Sequence, residues 1–149
     1  VGGRWTGRWA GRLTGRRGRA VTASRFTFAT LQYESGDWDS APLVPANLID
    51  TLARYTALDV APRGATVPLA SPALLGYPFA FLTGHLPVRF SEQERRMLRR
   101  WIDRGGFLFV DDHNHDVDGM FHRTCTEELA RTLGPLVEVV GVLLDGDQP

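Results

Sequence analysis

The chain has 149 residues, 43% of them hydrophobic, which fits one globular domain able to bury roughly 70% of its unfolded surface. A formal net charge of zero conceals a basic start and an acidic body: residues 1–25 hold seven arginines and no acid, whereas the remainder has ten arginines against seventeen acids. The single cysteine, Cys125, excludes an internal disulfide and a paired-cysteine zinc site, and no run approaches the ~18 apolar residues of a membrane span.

Residues 3–19, GRWTGRWAGRLTGRRGR, repeat Gly-Arg every fourth position. Glycine at every turn opposes a helix and the arginines repel one another, so residues 1–24 read as a disordered extension. Such an arm could bind nucleic acid or an anionic membrane, its arginines neutralising phosphates while Trp5 and Trp9 stack on bases or sit at the interface. The plainer reading is an unstructured tail, and nucleic acid is not the expected partner. Arg16 and Arg17, with Val21, Thr22 and Ala23 before Ser24, suggest an export signal but lack the apolar segment one requires.

The domain is expected over residues 25–149. Phe26, Phe28 and Leu31, with Thr27 and Thr30, make a strand that ends in the turn-rich loop Glu34 to Asp39, which carries Trp38. After Pro45 the residues Leu48, Ile49, Leu52, Ala53 and Tyr55 keep helical spacing. A short strand over 65–69 and a one-turn connector over 71–78 precede the apolar strand PFAFLT, which stops abruptly at Gly84 and His85.

The next helix carries the fullest set of signals. Ser91 and Glu94 form a capping box; Met97, Leu98, Trp101 and Ile102 supply the apolar stripe; Arg95, Arg96, Arg99, Arg100 and Arg104 fill the solvent side; Gly105 and Gly106 close it. Phe107 to Val110 then form an unbroken apolar run suited to a central strand covered on both faces. It passes directly into Asp111, Asp112, His113, Asn114, His115 and Asp116. A helix with Leu129, Ala130 and Leu133 inward, ended by Gly134 and Pro135, leads to a last strand over 137–144.

This alternation builds a parallel sheet with right-handed crossovers, and a flavodoxin-like, doubly wound α/β domain of about five strands with flanking helices is the simplest outcome. All strand exits then share one edge, so Asp37 and Trp38, Gly84 and His85, and Asp111, Asp112, Asn114 and Asp116 converge there as candidate ligand contacts. His85, His113 and His115 with Asp111 could hold a divalent transition metal, zinc, iron or manganese, that activates water. Asp111 and Asp112 point to opposite faces of their strand, so only one of them can join His85. No nucleophile elbow, dinucleotide fingerprint or phosphate loop occurs, and Cys125 lies inside a helix.

Trp38 in YESGDW, Tyr77 and Pro78 ahead of FAFLTGH, the helix into GGFLFVDD, and Asn114, His115, Asp116, Asp118 and Gly119 before Phe121 resemble the bacterial domain-of-unknown-function family 4159, over about residues 25–135. That resemblance implies the fold of the class I glutamine amidotransferase superfamily. Its members are often predicted to be exported to the periplasm or membrane-associated, and the chain is otherwise expected to be cytoplasmic. Two departures follow. The elbow cysteine of an amidotransferase is missing around Thr83 to Leu86, and the last residues do not look like the family's continuation, so the domain is expected to lack the family's C-terminal part. The sequence thus points to a non-amidotransferase domain binding a small polar ligand or a protein partner at its carboxyl edge, with a metal-dependent hydrolase as the alternative and an arginine-tail nucleic-acid binder as the third.

Overall fold

A computed structural model describes residues 25–114, 116 and 118–134. The arginine-rich extension, His115 and the strand expected over 137–144 lie outside the described residues.

Four strands alternate with helices. β1 (Ala29–Gln32) leads to α1 (Val44–Tyr55), then to β2 (Ala65–Pro68), a short 3-10 helix Pro72–Gly76, β3 (Phe79–Gly84), α2 (Glu92–Ile102), β4 (Phe107–Asp112) and α3 (Met120–Leu133). The sheet is parallel throughout, in the order β2-β1-β3-β4, so the connection from β2 to β3 crosses over β1. The described residues thus form an α/β fold with a four-stranded sheet.

The strands have two unlike faces. On one, Ala29, Leu31, Tyr33, Val67, Leu69, Ala80 and Leu82 pack with Leu98 and Trp101 of α2 and with Phe121, Cys125 and Leu129 of α3. Each fully buried leucine there stabilises the fold by roughly 1.5–3 kcal/mol. The other face is aromatic: Phe28 packs on Phe79 and Phe81, which stack in register on Phe107 and Phe109. Phe28 and Phe81 are buried, but Phe107 is 62% and Phe109 41% exposed. β4 therefore alternates between covered and open side chains rather than being covered on both faces, and it borders the described sheet while β1 and β3 occupy its centre. An unbroken apolar run records composition only; the neighbours decide which side is covered.

The helices follow their sequence signals with three differences. In α2 the Ser91–Glu94 capping box is formed, and Gly105 takes a left-handed φ of 89° that ends the helix. Gly106 lies against the Trp101 ring, where a Cβ would collide, while Trp101 Nε1 donates to the Tyr77 carbonyl at 2.6 Å. The first difference is Arg95, only 19% exposed, which turns inward to pair with Glu128 of α3 at 2.9 Å. In α3, Ala130 is exposed and the inward stripe runs Phe121, Cys125, Glu128, Leu129, Thr132. The third difference is α1, which is amphipathic as its spacing implies but buries no residue fully, and Tyr55 is 81% exposed. No described helix is long and apolar enough to cross a membrane.

Candidate functional site at the carboxyl edge

The crossover order sets where a site can form. From β1 the chain leaves through α1 toward β2, and from β3 it leaves through α2 toward β4, so the two central strands send their connections in opposite directions. A crevice between such exits is the position where open α/β sheets bind ligands.

Asp37 and His85 meet there. The Asp37 carboxylate accepts from the backbone N–H of His85 at 3.0 Å and of Leu86 at 3.1 Å, and it lies 2.8 Å from Nδ1 of the His85 ring. These contacts join residues 48 and 49 apart in sequence, so the β1 loop is tied to the β3 loop by one side chain. Burial alone would raise the Asp37 carboxyl, but the His85 and Leu86 amides and the His85 ring outweigh it and hold the group below its ordinary value. An ionised carboxylate only accepts, so His85 Nδ1 is the donor to it, and in a neutral ring the proton sits there and Nε2 keeps its lone pair. The His85 side chain is 35% exposed.

Packing beneath the pair explains why β3 ends in glycine. A Cβ at Gly84 would run into the Tyr33 hydroxyl and stand 2.8 Å from the Phe121 ring and 3.0 Å from Asp37 Oδ1. Tyr33 donates its hydroxyl to the Thr83 carbonyl at 2.9 Å, and burial, with the charge of Asp37, pushes its phenol well above the usual range. It therefore stays a donor. Glu94 adds a second tie: one oxygen completes the capping box at Ser91 N, and the other accepts from the Glu34 amide at 2.9 Å. Two more bonds brace the β3 loop, Arg89 N to Ser35 Oγ and Val88 N to Thr124 Oγ1. Tyr33, Glu94, Ser35 and Thr124 support the site without having been singled out as site residues. Only Glu94 carried a signal, as half of a capping box.

The exit of β4 is held differently. Asp112 pairs in register with Gly84 and Asp111 with Thr83, on opposite faces as their adjacency requires. Asp112 Oδ1 accepts from Asn114 N at 3.0 Å, and Asp116 Oδ1 from Asp118 N at 3.1 Å, both two-residue local turns. Asp112 Oδ2 is buried without a partner among the described residues. Asn114 and Asp116 are exposed, and Asp111 is half-buried. The loop reaches the rest of the edge through His113, whose ring meets that of His85 edge-on with centroids 4.6 Å apart. Trp38 is half-buried against the core.

Of the expected metal set, His85 and His113 come together; among the described residues no three histidine, cysteine or acidic side chains form a group able to hold an ion, and His115 lies outside them. Cys125 is buried within α3, and burial together with the negative charges of Asp112 and Glu128 pushes its thiol up to about 12, which leaves it without nucleophilic character.

Compared with known proteins, the chain is matched over residues 27–141 by the family model described as "Domain of unknown function (DUF4159)". This match covers well over half of the chain and runs past residue 135, where the motif resemblance ended. No curated protein matches the chain significantly.

Proposed function

The chain belongs to the DUF4159 family, and for this member we propose a non-amidotransferase α/β domain that binds a small polar ligand at the crevice between β1 and β3. The observation that carries this reading is the Asp37 carboxylate, which gathers two amides and one imidazole nitrogen from the opposite loop. Such a clamp orients the His85 ring in advance, with Nε2 free to accept from a hydroxyl or amide, or to donate to a carboxylate when protonated. Asp111, Asp112, Asn114 and Asp116 form a polar, mostly acidic rim, with Trp38 in the first loop. The finer fold belongs to the same proposal. The order β2-β1-β3-β4 matches the first part of the flavodoxin-like order 2-1-3-4-5, the fold that the resemblance to the amidotransferase superfamily implies. The absence of cysteine from Thr83 to Leu86 supports the lack of amidotransferase chemistry.

The reading is tested by titrating small hydroxy acids, amides and sugars into the protein while following the histidine ring resonances. Binding compounds should shift His85 and His113 together and lose affinity in Asp37→Ala. Compounds that bind elsewhere, or that ignore this substitution, contradict it.

One observation favours a second reading, that of a metal-dependent hydrolase. Ring contact between His85 and His113, with the first imidazole held by a carboxylate at Nδ1, is the outer arrangement common to metal-binding histidines. Zinc titration separates the two: stoichiometric binding lost in His113→Ala selects the second reading.

A further inference from the structure

Along α2, an open groove of about 610 Å3 runs beside the end of α3, lined by Arg95, Arg96, Arg99, Arg100, Arg104 and Arg131 with only two acids, Glu92 and Asp103. None of its lining residues belongs to the carboxyl-edge cluster. The arginines divide into two groups. Arg95 spends its whole fork on carboxylates, with Nε and Nη2 on Glu128 at 2.9 and 3.1 Å and Nη1 on Glu92 at 2.6 Å. Arg131 shares Glu128 at 3.0 Å, and Arg99 holds Asp103 at 3.0 Å. Only the Arg95–Glu128 pair is largely buried, at 19% and 6% exposed, so it is the fixed part of a floor whose three arginines and three acids are together nearly neutral.

Arg96, Arg100 and Arg104 are different. They are exposed, and they make no ion pair and no side-chain hydrogen bond among the described residues. Their spacing of four residues repeats along one side of the helix and into the turn after it, placing successive residues about 6 Å apart along the axis. The acids that could neutralise them are already engaged by the floor. Three guanidinium groups in a row, repelling one another over an open surface, suit a ligand that brings several negative charges at similar spacing.

We propose that this groove is a second binding site, for a small polyphosphate-bearing anion. Guanidinium forks match phosphate oxygens two at a time, and the paired floor keeps Arg95 and Arg99 from competing with the free row. The groove is open rather than enclosed, so what recommends a compact polyanion is the short row of three unpaired guanidinium groups rather than the shape of the surface.

The test uses the full chain and inorganic tripolyphosphate as probe, measured calorimetrically at two salt concentrations. The wild type should bind, more weakly at higher salt, and the double variant Arg96→Glu, Arg100→Glu should lose affinity by about tenfold or more. The double variant Arg96→Lys, Arg100→Lys keeps the charge and the fold but loses the fork, and should fall between the two. His85→Ala should bind as the wild type does. Equal affinity of wild type and the Glu variant would place any binding on the arginine-rich extension and overturn the proposal. So would binding of anionic vesicles or of single-stranded nucleic acid without binding of tripolyphosphate.

Discussion

The two halves of the carboxyl edge are built by opposite means. At the exits of β1 and β3, Asp37, Tyr33 and Glu94 make hydrogen bonds to residues 48 to 60 positions away, so the site is assembled by tertiary structure. At the exit of β4 the acidic residues bond to amides two positions away, and the loop is assembled by its own turns. Density of polar residues in sequence therefore marks the second half, whereas rigidity belongs to the first. Pre-organisation, the property that a binding site needs most, resides where the sequence is sparser.

Breaking the ties of the first half gives the largest expected effect. Glu94→Ala removes a 1%-exposed carboxylate that accepts from Ser91 and Glu34, and should cost about 3 kcal/mol in denaturant unfolding while loosening the β1 loop. Asp37→Asn is smaller, about 1–2 kcal/mol, because an amide oxygen retains one acceptor. Its pH dependence has a definite sign. The Asp37 carboxyl is lowered in the folded state, so its contribution is present above the unfolded value and disappears as pH falls through the folded one. The stability gap between wild type and Asp37→Asn should be constant above about pH 5 and close below about pH 4. The comparison is sharpened by Asp111→Ala, on a side chain whose neighbours Asp112 and Asp116 make the loop's side-chain bonds. It should change stability by less than about 0.5 kcal/mol.

Much of the scaffold was readable because its signals are local. The capping box and the diglycine stop each act within a few residues and appear where the sequence places them, while β3 and β4 run on to Gly84 and Asp112, one and two residues past the ends of PFAFLT and FLFV. What was not readable depends on partners far along the chain. Arg95 looked like its arginine neighbours and turns inward only because Glu128 of α3 is there to receive it. Phe107 and Phe109 looked like core and are open because nothing described covers that side of β4. Within the site, Asp37 and His85 were both candidates, but their direct bond, and the tyrosine and glutamate beneath it, follow from the packing of β1 against β3.

The central claim is that Asp37 fixes the His85 ring with its proton on Nδ1. Nitrogen-detected NMR of the histidine rings at a pH where they are neutral reads this directly. The account predicts the Nδ1–H tautomer for His85 in the wild type and a return to the ordinary mixture, rich in Nε2–H, in Asp37→Ala, with His122 unchanged. A wild-type His85 that already shows the ordinary mixture would contradict it.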